Sequence, residues 1–583
     1  MAEIFGGAVV ARMLKKEGVE QFFGIVDGTY SHLCVSAADE GLRMVTPRHE
    51  SVAAHMAGAY ARVTGRLGVF IASSGPGVAN VLSGAAVEHL EGNRVLLITS
   101  SRRRGVTGPD RPGAYQAFDQ HRVIRGIAKW SVYIRDFERI PDRMREAFRR
   151  SYSGKPGLVH VDIPEDVING SGPEPEFLEP AQYRSFAPLP PPPDQVKAAA
   201  RMLSEAKMPM IQAGSGVTHA LAFSELQEVA ELLNAPVTTS WAANDSLSHL
   251  SPFACPMSLT EMVNAVRNTA DACLCLGSSM GETDWWGKAP YWAAPDKQKF
   301  IQVDLEAAAI GRNRRVDLGV VADVKAFLTD LAAELKKMDT GANKDERRAF
   351  LAKLGEAKQQ GRKAVEEGMA AMPASPVHAL QAAVSLRALL PPDTIFVLDG
   401  GNTVLWGSSV GCVQPNTCLS TWHMGHLGTG QGYALGAALG KPGAQVCLFT
   451  GDGAMGFHMQ ELETAVRYGL KILFVIIADK QWGMVKINQM VAMGPHKERY
   501  TNALKDQDSV NCDFGPIAWA EAARAMGMPG ENAKSVEEFQ AVAARFAAQA
   551  GPALIQVDVD PGAHMRCPVL KTFKDMHSEP AGN

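Results

Sequence analysis

Apolar residues in this chain gather in short runs separated by amphipathic stretches. Twelve of these runs favour β-branched residues: Phe22–Val26, Gly68–Ala72, Val95–Thr99, Leu158–Ile163, Met210–Ala213, Pro236–Thr239, Ala272–Gly277, Phe300–Leu305, Thr394–Leu398, Gln445–Thr450, Ile472–Ala478 and Ala553–Val559. Strands this apolar are covered on both faces, as in a parallel sheet sandwiched by helices. The pattern predicts an α/β protein of doubly wound parallel sheets.

Two segments interrupt the alternation. Gly172–Asp194 contains the run Pro190–Pro193, and Lys336–Pro376 is a charged helical stretch that ends in Met372-Pro373-Ala374-Ser375-Pro376. Proline-rich stretches extend neither a helix nor a central strand and serve as spacers. They predict domains over residues 1–180, 191–340 and 376–562, with 563–583 as a C-terminal tail. The full length of 583 residues suits three such units.

Composition narrows the class. With 58 Lys plus Arg against 62 Asp plus Glu, the net charge of −4 supplies no global attraction to nucleic acid or to an anionic membrane. Nine cysteines without metal-type spacing fit a reducing compartment. Neither an apolar signal core nor a membrane-length apolar stretch is present, so a cytoplasmic location is expected.

The sharpest chemistry follows the strand Gln445–Thr450. Gly451-Asp452-Gly453-Ala454 leads into an amphipathic stretch and then a second strand, Ile472–Ala478, which ends at Asp479. Ligands of open parallel sheets sit at the carboxyl ends of strands, and here two strand ends each present a carboxylate. Glycines let backbone approach a phosphate, and Mg²⁺ favours carboxylates together with substrate phosphates. Taken alone, Asp452 is better read as a helix cap and Asp479 as a turn residue.

The extended pattern resembles thiamine diphosphate enzymes of the acetolactate synthase-like family, with Asp479 standing where they carry Asn. The resemblance spans the chain and implies three α/β domains in the order pyrimidine-binding, central and diphosphate-binding. It implies Asp452, Asp479 and the Gln481 carbonyl as Mg²⁺ ligands, with Gly453 and Ala454 on the diphosphate. Asn402 and Thr403, in Asp399-Gly400-Gly401-Asn402-Thr403, would hold its other side. Leu427, in Met424-Gly425-His426-Leu427-Gly428, matches the apolar wedge that bends the cofactor; the Gly425 carbonyl would accept from the cofactor's amino group, and Met484 would touch the cofactor.

In the first unit, Arg48-His49-Glu50 opens a small-residue helix. Glu50 matches the family's activating glutamate, which protonates the aminopyrimidine ring. Gln116, in Tyr115-Gln116-Ala117-Phe118, takes the position of an active-site Gln. Val26 and Asp27 replace a Pro-Gly-Gly turn at the mouth of the substrate pocket, and Trp482, Val485 and Asn488 complete its lining, with Asn488 in place of a substrate-selecting Trp. The Asp119-Gln120 pair is also similar to benzaldehyde lyase and the acyl-CoA lyases.

The central unit has Gln212-Ala213-Gly214-Ser215-Gly216 after one strand. After another it has Met280-Gly281-Glu282-Thr283-Asp284-Trp285-Trp286, where flavin-containing acetolactate synthases carry Arg-Phe-Asp-Asp. That departure argues against FAD and against acetolactate synthesis with it. The expectation is a Mg²⁺ and thiamine diphosphate-dependent enzyme that makes or breaks a C–C bond beside a carbonyl. Acyloin-type carboligation and 2-oxo acid decarboxylation both fit, on 2-oxo acids, aldehydes or acyl-CoA. The alternatives are a 2-hydroxyacyl-CoA or acyloin lyase, and a catalytically weak cofactor-binding regulatory relative. The resemblance also implies a homodimer or homotetramer.

Overall fold

A computed structural model describes residues 2–107, 113–338, 343–499, 509–576 and 580. The expected boundary at residue 340 and most of the last residues of the expected tail lie outside them. Three six-stranded parallel sheets carry the fold, and a small antiparallel pair joins Glu3–Phe5 to Ser171–Pro173.

The first sheet runs, in spatial order, Arg43–Val45, Gln21–Gly24, Gly68–Ala72, Val95–Ser101, Leu158–Pro164 and Trp130–Tyr133. The second runs Ala254–Cys255, Val237–Thr239, Pro209–Ala213, Ala272–Leu276, Lys299–Asp304 and Leu318–Val321. The third runs Cys418–Leu419, Ile395–Asp399, Val446–Gly451, Ile472–Ala478, Ala553–Asp558 and Gly530–Ala533. Numbered along the chain, the first and third sheets share the order 2-1-3-4-6-5, whereas the central one has 3-2-1-4-5-6.

The twelve apolar runs are the four inner strands of each sheet, to within a residue or two at their ends. Leu158–Pro164, Val446–Gly451 and Ile472–Ala478 are buried throughout, as strands flanked by strands and covered by helices must be. The six strands of these three sheets that the pattern missed all lie at sheet edges. An edge strand pairs on one side only and can be as short as two residues, as Ala254–Cys255 and Cys418–Leu419 are, so it leaves no apolar run to read.

Two compact units emerge from the contacts. One comprises Met1–Pro188, Thr421–Gly443 and His458–Tyr468; the other comprises Leu189–Ser420, Ala444–Phe457 and Gly469–Asn583. In the first unit the helix Glu50–Thr64 packs on the helix Thr429–Gly440. Both are rich in small residues, and the approach is backbone to backbone: a Cβ on Gly436 would lie 2.3 Å from the Met56 carbonyl oxygen, and one on Gly432 2.5 Å from the His55 Cβ. Alanine at either position would force the pair apart.

In the second unit, the charged stretch after Lys336 forms the 27-residue helix Lys344–Ala370. It is pinned by two cations, Arg347 at helix carboxyl ends, where carbonyls lack intrahelical donors, and Lys358 at the turn before the strand Ala254–Cys255. Arg347, fully buried, donates to the carbonyls of Ser204, Ala206, Lys207 and Leu233. Lys358 donates to those of Ser251, Pro252 and Ala254.

Candidate active site

In the second unit, the third sheet brings two carboxylates together. Strand Val446–Gly451 delivers Asp452 and its neighbour Ile472–Ala478 delivers Asp479, with Gly451 in register with Ile477. Asp452 accepts from the Gly453 amide at 2.8 Å and from the Lys480 amide at 2.9 Å, so one carboxylate laces both strand ends. Lys480 adopts a left-handed φ of 59° to deliver that amide. Both Asp side chains are buried. Burial pushes both up from the ordinary carboxylate range, and for Asp479 the neighbouring Asp452 charge adds to it. Two like charges in one dry place cannot both ionise unless a proton or a cation sits with them.

The surrounding groups suit an anion held with such a cation. The Asn402 amide is buried with neither its oxygen nor its nitrogen partnered. It meets Asp479 around Gly483, whose Cβ would lie 2.8 Å from Asp479 Oδ2 and 3.0 Å from Asn402 Nδ2. Thr403 Oγ1 lies 3.2 Å from His564 Nε2, and the Trp406 indole donates to the His564 carbonyl at 2.8 Å. Burial, with His378 nearby, pushes His564 down to about 3, so it stays neutral. No motif singles out His564; its role is visible only once the chain beyond Pro561 returns to the third sheet.

The glycines of this edge leave room for neighbours. Gly401 faces Met484, Gly453 faces the Trp482 ring, and Gly400 holds a φ of 105° that a side chain resists. Trp482 packs edge-on against Phe514 at 4.6 Å. Gln481 is buried and donates to Asp479 Oδ2 at 3.3 Å and to the Pro561 carbonyl at 3.0 Å. Val485 and Asn488 are exposed on the helix Gly483–Arg499. Thus Asn402, Thr403, Asp452, Gly453, Asp479, Gln481, Trp482 and Met484 surround one sheet edge, with Ala454 buried in the turn after Asp452.

The first unit holds the remaining candidates. Glu50 is the first residue of its helix, capped by His49 Nδ1, which accepts the Ser51 amide. Its Oε2 accepts from Asn80 Nδ2 at 3.0 Å. The segment His458–Tyr468 grips the approach to it: the Arg48 amide donates to Glu461 at 3.0 Å, the Thr46 amide to the Tyr468 hydroxyl at 2.9 Å, and Arg467 to the Thr46 carbonyl at 2.8 Å. Leu427 is half-buried, in a turn where Gly425 is exposed at a φ of 61°.

Gln116 is exposed at a φ of 56°, a conformation costly for a residue with a side chain. Its carbonyl accepts from Ser74 Oγ at 3.0 Å. Behind it, Gln120 is buried and donates to the Ser100 carbonyl and to Asp162, while Asp119 caps the next helix by accepting the Arg122 amide. The Asp119-Gln120 pair is therefore engaged within the fold. Val26 is exposed, and Asp27 accepts the Thr29 amide at the start of a 3₁₀ turn.

Among the described residues no group of three or more His, Cys, Asp or Glu side chains is arranged to hold a metal. A pair of carboxylates completed by a backbone carbonyl and a bound diphosphate needs no such group, so the residues present fit Mg²⁺ with a diphosphate. No helix among the described residues is long and apolar enough to cross a membrane.

Comparison with known proteins bears on this arrangement. Family models match residues 4–123 as "Thiamine pyrophosphate enzyme, N-terminal TPP binding domain", 196–331 as the central domain and 399–557 as the C-terminal TPP binding domain. An acetolactate synthase of Mycobacterium bovis is 30% identical over 544 residues, covering 92% of this chain and 85% of that protein. A probable acetolactate synthase large subunit of Methanocaldococcus jannaschii is 29% identical, over 82% of this chain and 81% of its own. An acetolactate synthase large subunit of Cyanidium caldarium is 27% identical over 94% of this chain and 92% of its own.

Proposed function

Because this chain belongs to the thiamine pyrophosphate enzymes, on their acetolactate synthase-like side, we propose that it is a Mg²⁺-dependent carboligase or decarboxylase working beside the carbonyl of a small substrate. Thiamine diphosphate, when bound, supplies a carbon nucleophile and an electron sink. Everything else falls to the protein. Asp452, Asp479 and the Gln481 carbonyl would hold Mg²⁺; Gly453, Ala454, Asn402 and Thr403 would hold the diphosphate. Gly425, Leu427 and Met484 would orient the rings. Glu50 would exchange a proton at the aminopyrimidine nitrogen, and Gln116, with Val26, Asp27, Trp482, Val485 and Asn488, would meet the substrate. Assembly as a homodimer or homotetramer belongs to the same reading.

The observation that carries it is the buried Asp452–Asp479 pair beside the unpartnered Asn402 amide. Replacing either carboxylate by a neutral apolar group removes the reason for a cation there. Titration calorimetry with Mg²⁺ and thiamine diphosphate is expected to show binding to the unsubstituted protein and none to Asp452→Ala; equal binding would overturn the metal site. Glu50→Gln is expected to lower turnover by about 10²–10⁴-fold, and full turnover would remove Glu50 from the proton path. A mass-spectrometric product screen over 2-oxo acids, aldehydes and acyl-CoA thioesters identifies the substrate.

A further inference from the structure

We propose that His458 is a positioning residue that ties the start of the Glu50 helix to the turn carrying Leu427. His458 opens the segment His458–Tyr468 and is buried. Its Nδ1 lies 2.8 Å from the Gly428 carbonyl oxygen and its Nε2 lies 3.1 Å from Ser51 Oγ. A carbonyl only accepts, so Nδ1 carries the hydrogen, and in the neutral ring Nε2 is an acceptor for the Ser51 hydroxyl, whose one hydrogen it shares with His49 Nδ1 at 2.8 Å. Burial lowers the proton affinity of this ring, with His49 and His426 nearby adding to the effect, which favours that neutral form.

The two ends of the bridge are one residue from the groups that matter. Ser51 follows Glu50, and Gly428 follows Leu427. Gly428 sits at a φ of 82° as the cap residue of the helix Thr429–Gly440, so its carbonyl direction is set by a conformation that favours glycine. The same turn has a second anchor. Glu91 accepts the His423 amide at 2.9 Å and the Met424 amide at 3.1 Å, and faces His423 Nδ1 at 3.1 Å. Glu91 holds the start of the turn to the end of the helix Pro76–Leu90, whereas His458 holds the end of the turn to Ser51. An imidazole suits this bridge because its two nitrogens point in different directions from one rigid ring: one donates to a carbonyl, the other accepts from a hydroxyl.

The proposal rests on the reading of Glu50 and Leu427 as cofactor residues, and its test separates the two. Amide hydrogen exchange on the full-length, cofactor-free protein reads the segments 46–52 and 421–429. His458→Leu is expected to speed exchange in both by about tenfold, the scale of a lost buried hydrogen bond. His458→Asn places an amide near the Nδ1 position and is expected to restore protection in 421–429 alone. His458→Gln reaches the Nε2 position and is expected to restore 46–52 alone. Thiamine diphosphate affinity, followed by tryptophan fluorescence with Mg²⁺, is expected to weaken about tenfold in His458→Leu, and kcat to fall with KM for the carbonyl substrate little changed.

Exchange unchanged by His458→Leu in both segments, or restored alike by Asn and Gln, would overturn the bridge. If His458→Leu does not fold, Ser51→Ala removes the hydroxyl alone; it is expected to speed exchange in 46–52 and leave 421–429 protected, and unchanged 46–52 exchange overturns the bridge equally. Failure of the cofactor reading shows separately, as absence of thiamine diphosphate binding by the unsubstituted protein.

Discussion

The central and third sheets both end apolar strands in glycine-rich turns, and both bury aspartates there, but they settle the charge in opposite ways. At the central edge Asp284 accepts from Arg267 at 2.7 Å, from Gln212 at 3.3 Å and from Ser278 at 3.2 Å, while the Arg267 guanidinium also lies over the Trp292 ring. Its glycines are spent on backbone packing: a Cβ on Gly214 would lie 2.4 Å from the Gly277 carbonyl oxygen, and one on Gly216 2.6 Å from the Gly277 Cα. At the third edge Asp479 faces Asp452, another carboxylate, and an Asn402 amide stands by without a partner. One edge carries its own counter-charge; the other sets one buried carboxylate against another. Glycine after a strand is thus a weak sign of a ligand, and the charge left uncompensated is a stronger one.

Breaking the compensated edge should have the largest effect. Arg267→Ala leaves Asp284 buried without its cation and is expected to cost about 3–5 kcal/mol of stability in denaturant unfolding, with Mg²⁺ affinity in the presence of thiamine diphosphate unaltered. A stable variant with altered metal affinity would refute the separation of the two edges.

Asp162 of the first sheet offers a carboxyl group that is buried like Asp479 but has donors at one of its oxygens. Thr99 and Gln120 donate to its Oδ1, and burial pushes it up to about 7. The folded acid keeps its proton up to that pH, whereas the unfolded one releases it near 4. Between these values the folded state binds more protons, so stability falls as pH rises, by up to ~1.4 kcal/mol per pH unit. Asp162→Asn, close in shape to the protonated acid, is expected to flatten that fall; parallel pH profiles in chemical denaturation would show that Asp162 is not its source.

Gly214→Ala tests the close packing at the central edge. The expected loss is about 1–3 kcal/mol, the scale of overpacking, and a neutral result would mean that the two turns can move apart freely. Smallest is the effect of Asp479→Asn. In the unsubstituted pair Mg²⁺ would have to displace a proton held up by burial and by the second carboxylate, so its affinity is expected to rise with pH by up to about tenfold per unit until the pair is ionised. Removing one carboxylate should leave the affinity nearly flat between pH 6 and 8. Calorimetry at the two pH values reads the difference, and an unchanged slope would defeat the like-charge account.

Much of this was legible in the sequence, and for identifiable reasons. The inner strands are buried on both faces, so burial alone dictates their residues and the apolar run is the strand. Asp452 and Asp479 are legible because each directly follows such a run, and the carboxyl end of a parallel strand is where ligands meet a sheet. The edge strands escape because pairing on one side imposes a weaker demand. His564 and His458 escape for a different reason: their partners Thr403, Ser51 and Gly428 lie far along the chain, and no periodicity encodes such a meeting.

By itself, then, the sequence determined which segments must be covered on both faces and which strand ends carry charge, since both follow from local residue type. Tertiary structure alone decided which charges are compensated. Asp284 and Asp479 are both aspartates beyond apolar strands; Arg267 reaches one, while the other meets Asp452. The energy of a buried carboxylate depends on the neighbours folding places beside it, and those neighbours come from other strands and helices.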